Sequence, residues 1–237
     1  MLIEENTNGK SNKEIFEEIK NILNLEGVTY KINEQTMNII TKDGDVYTLL
    51  GDGTLIEGEV AYLDIADGSI ELKSNGYIQG ENTVEYTGKY IITGTTTENT
   101  VKITDVGTYD ITIKDLNIDV SSIDNTNAFM AGNKNTGLNV IINIQGKNTL
   151  ISKNASALSW SGIINDIEGS TLELCGTGEL EVSCGNSRAA ICIGGNNAKN
   201  IIINSATIYA VKKGEKYGVP IGGSNSSVII NRWKYIC

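Results

Sequence analysis

Glu179 and Glu181 flank Leu180, so an extended strand would turn both carboxylates to one face. Glycosidases and polysaccharide lyases work from carboxylates set together in this way. Acting on an acidic polysaccharide also takes a basic group and a calcium ion held by clustered oxygens. Around this pair the sequence is sparse. Residues 125–237 hold only Asp166, Glu168, Glu173 and Glu215 besides, and the chain's two arginines, Arg188 and Arg232, stand beside no acid cluster. Histidine is absent from all 237 residues, which removes the commonest general base and the commonest zinc ligand. The pair reads as an ordinary solvated strand face, and the chain as non-enzymatic with no catalytic residue.

Metals, phosphates and thiol chemistry fare no better. Asp43-Gly44-Asp45 and Asp52 read as turns, because no DxDxDG pattern gathers several oxygens on one calcium ion. Phosphate-cradling GxxxxGK[ST] and GxGxxG are missing. Cys175, Cys184, Cys192 and Cys237 form no CxxC pair, so neither a metal site nor a cofactor is expected. Alternation puts Cys184 on the strand face of Val182, which favours a buried reduced thiol over a disulfide. A net charge of −10 argues against nucleic acid as a partner. That net charge sits entirely within residues 1–90.

Sugar binding asks for less: an exposed aromatic face beside hydroxyls and amides. Tyr209 lies between Ile208 and Ala210, so alternation turns it outward if those two face a core. Trp160 and Trp233 fall in or near turns. Tyr209, Trp160 and Trp233 are the candidate ligand-binding residues, with capping of a repeat array, together with Tyr235, as the other reading of Trp233.

Such residues need a scaffold, and the composition describes one. Thirty-five Ile against 15 Leu, with 27 Asn, 26 Gly and a single Pro, indicate short strands joined by tight turns. One helix is expected first: Ser11 and Glu14 fit a capping box, and Ile15, Phe16, Ile19, Ile22 and Leu23 form an apolar stripe ending before Gly27. The stripe must lie on its own β region or on a partner, which makes these five the candidate docking residues. Residues 28–68 read as a small β module with a hairpin at Asp43-Gly44.

From residue 69 to 237 the chain repeats. Phe129, Leu158, Ile191 and Val219 recur in small–apolar–glycine segments at steps of 29, 33 and 28. Val140-Ile141-Ile142-Asn143, Ile201-Ile202-Ile203-Asn204 and Val228-Ile229-Ile230-Asn231 keep the same beat. A period near 30 built of several short strands is the signature of a solenoid. The expected fold is all-β, a single-stranded right-handed parallel β-helix with Leu180, Ile208, Ile191 and Val219 facing inward. The asparagines could form a side-chain ladder, and Gly194-Gly195 and Gly222-Gly223 the positive-φ corners. Ile70-Leu72, Val84-Tyr86, Val101-Ile103 and Ile111-Ile113 suggest earlier coils.

The segments GELEVSCGNSRAAICIGGN and ATIYAVKKGEKYGVPIGGSN resemble the "GIGGG" repeats of bacterial right-handed β-helix proteins. Some of that group are described as carbohydrate-binding, which is what the resemblance implies for a ligand. The layout of helix, small β module and β-helix resembles phage tail-fibre and baseplate components. The amino terminus, MLIEENTNGKSNKE, lacks a signal peptide's basic start and apolar run, and no stretch approaches a membrane span. The leading expectation is a structural or host-attachment component of a phage tail or phage-tail-like particle, with other subunits or copies of itself as partners. A carbohydrate-binding β-helix of a bacterial cell surface, outside the cell and facing surface polysaccharide, is the alternative, and a polysaccharide lyase the third.

Overall fold

The computed structural model describes residues 9–133, 138–153, 156–161, 170–185, 191–195, 200–212, 220–223 and 226–231. The chain forms two compact units that meet in sequence between Tyr62 and Leu63. The capping box is in place: the Ser11 amide donates to the Glu14 carboxylate at 2.8 Å and the Glu14 amide donates to Ser11 Oγ. The resulting helix, α1, covers Asn12–Leu23 and is capped by Asn24 with a left-handed backbone, three residues before Gly27. It packs on the first two strands of an antiparallel meander: β1 (Thr29–Ile32), β2 (Thr36–Ile40), β3 (Val46–Leu50) and β4 (Leu55–Glu57). Hairpin turns fall at Asp43-Gly44 and around Gly53, both glycines having positive φ.

From Ile70–Lys73 onward three sheets, parallel from coil to coil, wrap about one core. Each coil lays a strand on a first, a second and a third face in turn. The first coil uses Ile70–Lys73, Lys89–Thr93 and Thr95–Thr96; the second Val101–Ile103, Gly107–Lys114 and Asn117–Asp119. The third uses Phe129–Asn133, Leu138–Gln145 and Lys147–Ser152; the fourth Leu158–Ser161, Thr171–Gly176 and Glu179–Cys184. The fifth uses Ile193–Gly194, Ile201–Ile203 and Thr207–Lys212, and Ile221–Gly222 and Val228–Ile230 begin a sixth. The result is a parallel β-solenoid of about five turns.

Inward columns follow from strand register, because a period of two keeps alternate residues on one face. On the second face Val140, Leu172, Ile201 and Val228 stand in one column, so the Asn-ended segments align as expected with Leu172 filling the gap. On the third face Leu180 is fully buried and pairs with Ile208. The first face corrects the other expected column. Ile193 and Ile221, rather than Ile191 and Val219, follow Phe129 and Leu158. The slip is two residues, which leaves the inward face unchanged; Ile191 is buried just ahead of its strand and Val219 lies outside the described residues. Gly194 and Gly222 do take positive φ, and a Cβ on Gly194 would stand 2.6 Å from the Gly222 carbonyl.

Val84 belongs to no coil. Gly76–Gln79 and Asn82–Glu85 fold back as an antiparallel hairpin on Ile70–Lys73, finishing one end of the first face. Tyr77, Tyr86 and Tyr90 meet edge-to-face there, with ring centroids 5.2–6.2 Å apart. Burial pushes the Tyr90 hydroxyl up to about 12, with a smaller contribution from Tyr77.

Cysteine also corrects the sequence reading. Cys184 does face inward, but it is bonded to Cys192, and both are fully buried with Cα atoms 5.0 Å apart. Cys184 ends the third-face strand Glu179–Cys184 and Cys192 stands directly before the first-face strand Ile193–Gly194, so the bond ties the two faces together inside. Closing so short a loop stabilises by roughly 2–3 kcal/mol through the unfolded chain. Cys192→Ser should therefore lower the midpoint of denaturant unfolding, and reductant should lower that of the wild type only. Equal midpoints in both proteins, with and without reductant, would show that the bond contributes nothing.

Candidate binding face of the solenoid

Tyr209 stands on the outward side of the third face and is 45% exposed. Register places Glu181, Thr149, Asn117 and Thr95 in the same outward column, one per coil. On one side runs a column of Lys147, Glu179 and Thr207; on the other run Asp119, Ile151, Ser183 and Val211, of which Ser183 is buried. Glu179 and Glu181 are thus exposed neighbours on one strand, as alternation requires, amid threonines, a lysine and a tyrosine. Among the described residues no three His, Cys, Asp or Glu side chains converge to hold a metal.

Trp160 does not join this surface. It lies in the strand Leu158–Ser161, two residues from inward Leu158, and is completely buried. The turn-like serines around it obscured a parity that points it into the core, so its ring has no face to offer a ligand. Trp233 and Tyr235 lie outside the described residues.

The docking stripe divides. Phe16 is 1% exposed, Ile15 and Ile19 are half-buried, and Ile22 and Leu23 are 80% and 41% exposed. Phe16 is therefore core of the first unit rather than a docking residue, and only the end of the helix, continued by exposed Leu25, presents apolar surface. None of the described helices is long and apolar enough to cross a membrane.

Several polar groups are occupied in ties between coils. Buried Asn148 accepts from the Leu116 amide at 2.9 Å and donates to the carbonyls of Gln145 and Glu179, linking three coils. The expected asparagine ladder is partial: Asn231 donates to Asn204, Asn204 to Glu173, and Asn143 to Thr112, with Cys175 interrupting the row. Burial, then Glu173 and Asp110, push the Cys175 thiol up, which suits an inert thiol. On the first face the hydrogen bond from Lys102 holds the Glu71 carboxyl below its usual range against partial burial, and Thr104 and Lys73 assist.

Comparison with family models, curated proteins and solved structures yields no match to this chain. The resemblance to "GIGGG" repeats rests on the sequence motifs alone.

Proposed function

We propose that this chain is a non-enzymatic, carbohydrate-binding β-solenoid working at a bacterial cell surface. The observation that carries the reading is Tyr209, half-exposed on an outward strand face and in register with a carboxylate, a hydroxyl and an amide. An aromatic face packs against the C–H surface of a sugar ring, while such polar groups both donate to and accept from its hydroxyls. The buried Cys184–Cys192 bond supports an oxidising location outside the cell. Non-enzymatic action is supported by the setting of Glu179 and Glu181, which stand exposed on a strand face where the one basic strand neighbour, Lys147, is in register with Glu179 beside Thr149, Thr207 and Tyr209.

Tyr209→Ala should weaken binding to whichever polysaccharide the protein retains in affinity electrophoresis by about tenfold, the value of one stacked aromatic. The fold should be unaffected, since the side chain points outward. Purified protein should release neither reducing nor unsaturated ends from that polymer. Unchanged binding by the variant would remove Tyr209 from the site. Chain cleavage lost in Glu181→Gln would replace this reading with the lyase or hydrolase one.

A second reading keeps the phage-tail or phage-tail-like particle, with the chain as a structural or attachment subunit. Its support is the exposed apolar end of the helix at Ile22, Leu23 and Leu25.

A further inference from the structure

Taking the carbohydrate-binding reading as its premise, we infer that the third face holds an extended, non-acidic polysaccharide along the solenoid axis, one sugar residue to each coil. The column Thr95, Asn117, Thr149, Glu181 and Tyr209 runs unbroken through all five complete coils. Every member is outward-facing; Thr95, Glu181 and Tyr209 are exposed, and Asn117 and Thr149 are half-buried. Neighbouring strands lie about 4.8 Å apart, so the column is a straight track of roughly 19 Å with a polar group at each step and an aromatic at one end. That step is close to the length of one pyranose ring in an extended chain, so successive sugars meet equivalent positions. A globular or branched-end ligand would use Tyr209 and its immediate neighbours and leave Asn117, three strands away, untouched.

Charge selects among polymers. Along the track and its two flanking columns stand Asp119, Glu179 and Glu181 against Lys147 alone. With three carboxylates against one lysine, this face repels a polyanion. Hydroxyl and amide side chains at Thr95, Asn117 and Thr149 suit the hydroxyls of an uncharged one.

The test uses the full chain and a panel of immobilised β-glucan, mannan, chitin, dextran, polygalacturonate and hyaluronan, followed by calorimetry with two- to six-residue oligomers of the polymer retained. A non-acidic polymer should be retained, and affinity should climb with each added residue to about five and then level off. Tyr209→Ala should weaken the hexamer about tenfold. Asn117→Ala should weaken the hexamer severalfold and leave the dimer unchanged, as removal of one distant hydrogen bond requires. Circular dichroism should show both variants folded. A dimer bound as tightly as the hexamer, an unaffected Asn117→Ala hexamer, or retention on the acidic polymers would overturn the axial track while leaving the carbohydrate-binding reading standing. Retention on none of the six would overturn both.

Discussion

Replacing Leu180 with aspartate should cost the solenoid at least 4–5 kcal/mol and lower its melting temperature by more than 10 °C. Leu180 is fully buried in an inward column between Asn148 and Ile208. Two losses combine there. The leucine's packing disappears, worth roughly 2–5 kcal/mol in a column that cannot collapse without moving adjacent coils. The new carboxylate must also be desolvated or forced to take up a proton, which costs several kcal/mol more when it has no partner. Asn148 is the one polar side chain beside it in the column, and it is fully engaged: its carbonyl accepts from Leu116 and its amide donates to Gln145 and Glu179. No donor is left for the aspartate. Leu180→Val, which keeps the site apolar, should lose far less and serves as the control. A Leu180→Asp melting temperature within a degree or two of wild type would show that this column is not the core.

Alternation made that column legible in advance. Glu179-Leu180-Glu181-Val182 and Thr207-Ile208-Tyr209-Ala210 declare their faces locally, and strand period is a property of a few neighbouring residues. Tyr209 was legible for the same reason. Its companions were not: Thr95, Asn117, Thr149, Glu181 and Tyr209 are spaced by 22, 32, 32 and 28 residues. Coil lengths that vary by ten residues hide a column that hydrogen bonding between strands then sets. The same variation explains the two-residue slip on the first face, where the segment before Ile193 offers both Ile191 and Ile193 on one parity. The disulfide was hidden because it joins the last residue of one strand to the residue before the next, a distance no periodicity reports. The hairpin at Gly76–Glu85 was misread because its alternation is that of a coil strand, and only its antiparallel pairing distinguishes it.

The helix tests the remaining alternative, and two substitutions on its apolar stripe should have opposite consequences. Phe16 and Met37 are the largest fully buried side chains of the first unit. Phe16→Ala should therefore cost roughly 3–5 kcal/mol, as for other buried phenylalanines. A unit of about 60 residues has little more stability than that in total. Limited proteolysis of the full chain should then cut within the first unit and spare the solenoid, whose column residues are untouched. Ile22→Glu should do neither. At 80% exposure, Ile22 contributes little to folding, and the variant should resist protease like wild type. What it removes is apolar surface at the helix end, beside Leu23 and Leu25. A subunit that enters a phage-tail-like particle through this helix end should fail to co-sediment with the particle after Ile22→Glu while remaining folded. Undiminished co-sedimentation would exclude the helix end as the docking surface. A Phe16→Ala protein as protease-resistant as wild type would show that the stripe is not the core of its own module, and would return all five residues to the list of docking candidates.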